Sequence, residues 1–299
     1  MIAIPEDFVR ETVGREGEPG QRWIASLPAL VDELLDRWSC MPDGPVMHGR
    51  VGLVVPVRRT DLPPAVLKVS FPHPGNVFEP HAFAAWSGRG AVRMFERDDE
   101  RFAMLLERAR GTLAEIEDFD TAVSALGQVS RRLAVDAPAG LPLLADLTAE
   151  WAGEMTEIAA EFGNPLPPRV IDAALDTLRD LGPDQPGTLV HGDLHDGNVL
   201  LGEREPFLAI DPKGYVGDPA YDTFTVIRSL RFAHLLFAPD AVPQLLRGLE
   251  IFCEAAELDR ERARRWAQVR AVKSTLWGRR HGDEAWLIDV TDRLAEALG

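Results

Sequence analysis

The sequence predicts an α+β chain in two lobes: a five-stranded antiparallel sheet with helices, then a larger, mainly helical lobe. Two observations predict the lobes. Five short apolar runs broken by Gly, Pro and Asp fill residues 46–107. Beyond Arg110-Gly111, long stretches with three- and four-residue apolar spacing take over. A third bears on size: 299 residues suffice for one large domain or two lobes with real cores.

The elements follow in order. Residues 1–19 are polar, with a poor core signal. From Gly20, the residues Trp23, Leu27, Leu30, Val31, Leu34, Leu35 and Trp38 give an amphipathic helix, ended by Pro42, Gly44 and Pro45. Strands are expected over 46–50, 53–58 and 65–70, with Gly49 and Gly52 turning the first hairpin and Asp61-Leu62-Pro63-Pro64 the second. Residues 79–86 form a helix, with Pro80 tolerated in its first turn. Strands over 91–96 and 102–107 complete the sheet. Helices are then expected over 122–133, 143–162 and 170–181. Two short strands, 198–201 and 207–210, flank a turn at Gly202-Glu203-Arg204-Glu205. Helices resume over 221–237, 242–256, 260–277 and 284–298. The boundary falls near residue 108, giving an N-terminal lobe of residues 1–107 and a C-terminal lobe of residues 108–299.

Composition excludes some functions. Hydrophobic content of 45% and charged content of 27% are those of a soluble globular protein. A formal net charge of −16 removes the basic footprint that nucleic-acid binding needs. Residues 1–107 hold 12 Lys/Arg against 16 Asp/Glu, a net −4, which leaves −12 for residues 108–299. An acidic field suits a cationic substrate, and it equally suits plain solubility. Cys40 and Cys253 have no metal-type spacing and read as idle thiols in a reducing compartment. No secretory signal and no membrane-length apolar window is visible. The expected state is a cytoplasmic monomer.

Chemistry concentrates in the stretch Val190-His191-Gly192-Asp193-Leu194-His195-Asp196-Gly197-Asn198, followed by Ile210-Asp211-Pro212. An Asp that can take a hydroxyl proton, then an Asn and a second Asp that can hold Mg²⁺, is what phosphoryl transfer from ATP requires. Asp193 is the candidate base, and Asn198 and Asp211 are the candidate metal ligands. Mg²⁺ needs few protein ligands beside phosphate oxygens and water. His191 is expected to brace the loop by hydrogen bonding. His195 could join Asp193 and His191 on a zinc or iron ion, but no further His or Cys completes such a set. Asp218 and Asp222 are expected to cap the following helix.

Upstream, Lys68 interrupts the apolar strand Ala65-Val66-Leu67-Lys68-Val69. It is either an edge residue facing water or a buried cation with a purpose. Glu79, the only acid between Lys68 and Glu96, opens the next helix. A strand Lys and a helix Glu form the pair that positions ATP phosphates in kinases. Gly49-Arg50-Val51-Gly52 could bring backbone close to phosphate, or simply turn a hairpin. The connector Glu107-Arg108-Ala109 could offer backbone groups to an adenine edge, or simply link the two lobes.

His191-x-Asp193-x₄-Asn198 followed by Ile210-Asp211-Pro212 resembles the aminoglycoside phosphotransferases and related small-molecule kinases of the protein-kinase-like fold. Residues 53–58, 65–68, 86–93, 105–108 and 217–222, and the early Gly20-x-x-Trp23-Ile24-x-x-Leu27-Pro28, resemble the streptomycin 6-kinase and hydroxyurea phosphotransferase branch. The likeness runs from about residue 17 to about 280. It implies a bilobed fold with ATP in the cleft, Lys68 and Glu79 aligning phosphates, Asp193 as base, and Asn198 with Asp211 on Mg²⁺. It departs from protein kinases in a sparse glycine loop and in Ile210 and Pro212 around Asp211. The expected activity is ATP-dependent phosphorylation of a hydroxyl on an aminoglycoside, streptomycin first, conferring resistance. Hydroxyurea, a viomycin-type peptide or a metabolite alcohol are the other acceptors, and a non-catalytic nucleotide-binding pseudokinase is the reading of another class.

Overall fold

The computed structural model describes residues 2–228 and 240–299. The chain divides into two compact units, Met1–Arg110 and Gly111–Gly299.

The first unit begins with a helical run, α1 (Glu6–Arg37), broken at Gly17, whose φ of 62° lies in the left-handed region. The sequence predicted helix only from Gly20. Residues 6–16 add another stretch, and Phe8 and Thr12 carry its buried face at 0% exposure. A single large apolar side chain in eleven residues is too thin a periodicity to read in advance. The main sheet holds β1 (Met41–Pro42), β2 (Met47–His48), β3 (Gly52–Arg58), β4 (Ala65–Ser70), β5 (Met94–Asp98) and β6 (Ala103–Glu107). Its order is β1-β3-β4-β6-β5, with β2 also paired to β3, and every pairing is antiparallel. The five expected strands are present, although the first is only two residues long and β5 lies later than expected. β1 is a sixth, in a segment read as a helix terminator. Pro56 sits mid-strand in β3 opposite Val66. On its other side β2 ends at Val54 and β1 begins at Val57, so the missing N–H falls in a gap between partners. Leu27, Val31 and Leu34 of α1 pack on Leu53, Val55, Leu67, Val69 and Leu105, which forms this unit's core. α2 (Glu79–Trp86) follows β4.

In the second unit, β7 (Arg110–Thr112) leads to α3 (Phe119–Leu133). The expected single helix over 143–162 is two, α4 (Leu144–Ala149) and α5 (Trp151–Glu161), which meet at Glu150. Thr148 Oγ bonds back to Leu144 O at 2.8 Å, a contact that loosens a helix at its end. After α6 (Pro168–Leu181) come four three-residue strands: β8 (Thr188–Val190), β9 (Val199–Leu201), β10 (Phe207–Ala209) and β11 (Tyr215–Gly217). β9 pairs with β10, and β8 with β11. β9 and β10 were expected from the Gly202-Glu203-Arg204-Glu205 turn between them, whereas β8 and β11 are three-residue strands far apart in sequence with no such turn to mark them. α7 (Thr223–Ile227) takes up some of the expected helix 221–237, of which residues 229–237 lie outside the described residues. α8 (Ala241–Ala256), α9 (Arg260–His281) and α10 (Ala285–Leu298) complete the chain. The core gathers on α9, where Trp266, Ala267, Val269 and Val272 are fully buried against α6, α7 and α10. No helix among the described residues is long and apolar enough to cross a membrane.

Candidate active site

In the first unit, strand alternation sends Leu67 and Val69 into the core under α1 and Lys68 to the opposite face. β4 is an inner strand, so Lys68 is a buried cation and not an edge residue. Its Nζ lies 2.6 Å from Glu79 Oε1, and the two residues are 7% and 2% exposed. Glu79 opens α2, and Pro80 occupies the first turn, where no backbone donor is needed.

The glycine turn connects β2 to β3, with Gly49 N donating to Gly52 O at 2.9 Å and Val51 O accepting from Phe71 N at 2.8 Å. A Cβ on Gly52 would stand 3.0 Å from Ser70 Oγ and 3.5 Å from Lys68 Cε, so this glycine lets the turn lie against the lysine stem. Gly49 has open space around it, and Arg50 is exposed. In the connector, Glu107 N donates to Arg93 O and Arg108 N to Pro64 O, so both N–H groups are spent inside the fold. Arg108 also pairs with Asp43 at 3.1 Å, and Ala109 follows half-buried.

In the second unit, β8 delivers His191 at the head of the loop. Its Nε2 lies 2.9 Å from Ile210 O, and its Nδ1 accepts the Asp193 N–H at 3.3 Å. A carbonyl on one nitrogen and a donor on the other select the Nε2–H tautomer. Burial pushes the His191 pKa down to about 4, against the pull of Asp193. The ring braces the loop as a neutral group, as the sequence suggested. Lys213 N reaches back to His191 O at 2.7 Å, which ties the second acidic loop to the first.

Gly192 has φ +84°, and a Cβ there would sit 2.6 Å from the Tyr215 ring. Gly192→Ala is expected to displace the loop and reduce turnover at least about tenfold, for a strain of roughly 1–3 kcal/mol. Steady-state kinetics beside a melting curve checks this, and full activity would show that the loop tolerates the shift.

Asn198 ends a tight turn, Asp196–Asn198, that His195 caps through Nδ1, which accepts from Gly197 N. The Asn198 Nδ2 donates to Asp193 O at 2.9 Å, which leaves Oδ1 as the end that can meet a cation. Ile210 N donates to Asn198 O at 2.9 Å and so extends the β9–β10 register by one pair. Asp211 is the next residue beyond that pair, held at φ +58°, which is rare for a residue other than glycine. An amide oxygen and a carboxylate fit a hard cation such as Mg²⁺. Among the described residues no group of three or more His, Cys, Asp or Glu is assembled around a metal position.

Asp218 caps as expected, accepting from Ala220 N at 3.0 Å. It also accepts Trp266 Nε1 at 2.7 Å and pairs with Arg262. Asp222 does not cap. Its Oδ2 accepts the Gly192 N–H at 3.2 Å, so it holds the loop from beneath. Burial raises its pKa to about 7, opposed chiefly by Arg270 and the loop N–H groups. Sequence reasoning missed this role, for which the only signal was a second Asp four residues after Asp218. A groove of ≈950 Å³ elsewhere in this unit, between α3 and α8, contains none of these residues.

The chain resembles the solved structure of macrolide 2'-phosphotransferase from Brachybacterium faecium, with a TM-score of 0.53, 21% identity, and coverage of 92% of this chain and 98% of that one. That likeness shows the protein-kinase-like fold, and the family and relatives that follow show a phosphotransferase. The family model described as aminoglycoside/hydroxyurea antibiotic resistance kinase matches residues 37–282, and the chain belongs to that family. It is 38% identical to a streptomycin 6-kinase of Streptomyces glaucescens over 100% of this chain and 97% of that protein. It is 35% identical to a hydroxyurea phosphotransferase of Kitasatospora aureofaciens, over 95% and 83%.

Proposed function

We propose that this protein is a cytoplasmic, monomeric kinase that transfers the γ-phosphoryl group of ATP, with Mg²⁺, to a hydroxyl of an aminoglycoside antibiotic. Streptomycin is the first acceptor to test. The observation that carries the reading is the braced loop, in which neutral His191, Gly192 and Asp222 fix the backbone around Asp193 and Asn198 beside Asp211. Full-length similarity to a streptomycin 6-kinase supports the acceptor class, and the −12 surplus of residues 108–299 suits a polycation.

Bound Mg-ATP supplies a transferable phosphoryl group whose charge is already partly neutralised. Lys68, oriented by Glu79, holds phosphate oxygens, and the Gly49–Gly52 turn offers backbone to them. Asn198 Oδ1 and the Asp211 carboxylate would hold the metal. Asp193 orients the acceptor hydroxyl and takes its proton as the new P–O bond forms and the bond from the γ-phosphorus to the β–γ bridging oxygen breaks, with ADP as the leaving group. Around the Glu107–Ala109 connector, any adenine contact falls to groups other than the N–H groups of Glu107 and Arg108, which the fold uses.

Purified protein is incubated with Mg-ATP and a panel of aminoglycosides, hydroxyurea and a viomycin-type peptide, and products are read by mass. A phosphorylated aminoglycoside is the expected result. Phosphorylation of hydroxyurea alone would move the assignment to the second reading, which the Kitasatospora relative supports. No product from any of them would end the antibiotic-kinase reading. Asp211→Ala is expected to raise the Mg²⁺ needed for nucleotide binding by at least about tenfold, the lower end for disturbed metal sites. A Mg²⁺ titration of nucleotide binding checks this, and an unchanged titration removes Asp211 as a ligand.

A further inference from the structure

Tyr221, beside Asp222 beneath the catalytic loop, also lines a cavity of ≈190 Å³ in the second unit. Cavities that take a whole drug-sized ligand measure roughly 300–1,000 Å³, so this one admits a single ring or a small molecule. Trp151, Tyr221 and Trp277 give it aromatic faces. Trp277 is 44% exposed and stacked on His281 at 3.9 Å, a large apolar face held ready in contact with solvent.

Phe224, Ser274 and three cations, Arg228, Arg270 and Lys273, complete the lining. Lys273 is ion-paired with Glu154 and lies 5.5 Å from the Trp151 ring. Arg270 donates to Tyr221 O at 3.0 Å, with its guanidinium 4.1 Å from the Tyr221 ring centre. Arg228 differs. Its guanidinium rests 5.7 Å from the Phe224 ring and makes no ion pair or side-chain hydrogen bond among the described residues. Burial and then Arg270 push its pKa down, while Asp283 and Asp193 pull it up, so it stands within electrostatic reach of the candidate base. A half-desolvated guanidinium whose donors meet no acceptor among the described residues attracts oxygen acceptors and repels a second guanidinium or ammonium.

We propose that this cavity anchors the acceptor by one uncharged, oxygen-bearing ring or carbonyl group, whose oxygens meet Arg228 and Arg270 and whose face meets Trp277. Cationic groups of an aminoglycoside are turned away from it, which fixes the direction in which the substrate lies before Asp193. The inference rests on the phosphotransfer reading above.

The test takes whichever panel acceptor the wild-type protein phosphorylates and measures its KM and that of ATP in Arg228→Gln and Trp277→Ala. Both sites are partly exposed, and melting curves establish that the variants are folded. For Arg228→Gln the acceptor KM is expected to rise about tenfold or more, the worth of a hydrogen bond to a charged group, with the ATP KM unchanged. Trp277→Ala is expected to shift the acceptor KM in the same direction. An acceptor KM that is unchanged or lower in Arg228→Gln overturns the inference, and a lower one means that the cavity receives a cation. Failure of the wild-type protein on the whole panel is a separate result, visible before any variant is made. It removes the antibiotic-kinase reading and this inference with it.

Discussion

Asp193→Ala is expected to lower turnover by ~10²–10⁴-fold, the usual contribution of a positioned acid or base, with nucleotide binding little changed. The loop around Asp193 is held by main-chain atoms and by neighbours. Asp193 N donates to His191, Asp193 O accepts from Asn198, and Gly192 N is held by Asp222. The Asp193 side chain itself makes no hydrogen bond among the described residues, so its removal takes away no structural contact. Melting temperature should therefore stay near that of the wild type while kcat collapses. Asp193→Asn should behave alike, because an amide keeps the shape and loses the proton acceptor. Turnover within a few-fold of wild type in either variant would remove Asp193 as the base. A large fall in melting temperature would instead show that its role is structural.

The features of the candidate site that could be read from the sequence are those whose spacing is local. Asp193, Asn198 and Asp211 lie within one short stretch, and Lys68 announced itself as a charge inside an apolar strand. Its pairing with Glu79 followed from there being no other acid before Glu96. The supports were not legible, because they come from far along the chain. Asp222 reaches the loop across thirty residues, and its spacing after Asp218 read as a cap. Tyr215, whose ring stands 2.6 Å from where a Cβ at position 192 would lie, sits on a three-residue strand with no period to detect. The same limit explains the first helix. Phe8 and Thr12 bury a helix whose remaining residues are mostly polar, and a composition of that kind reads as a loose terminus.

Lys68→Met is expected to abolish phosphoryl transfer and also to destabilise the first unit by about 3 kcal/mol, the low end for removing one partner of a buried ion pair. Glu79 is 2% exposed, and the substitution takes away the cation 2.6 Å from its carboxylate. A single variant therefore cannot separate a catalytic lysine from a structural one. The double variant Lys68→Met/Glu79→Leu can. Replacing both members of a buried pair by apolar groups of similar volume is often neutral or stabilising, and Lys68 already lies on an inner strand beside α2. The double variant should recover most of the lost melting temperature and none of the activity. Calorimetry and steady-state turnover on the three proteins decide between the roles. If activity returns with stability, the pair serves the fold and the phosphates are held by other groups. If stability returns alone, the fold accepts an apolar pair at these positions, and the ion pair is required for the chemistry.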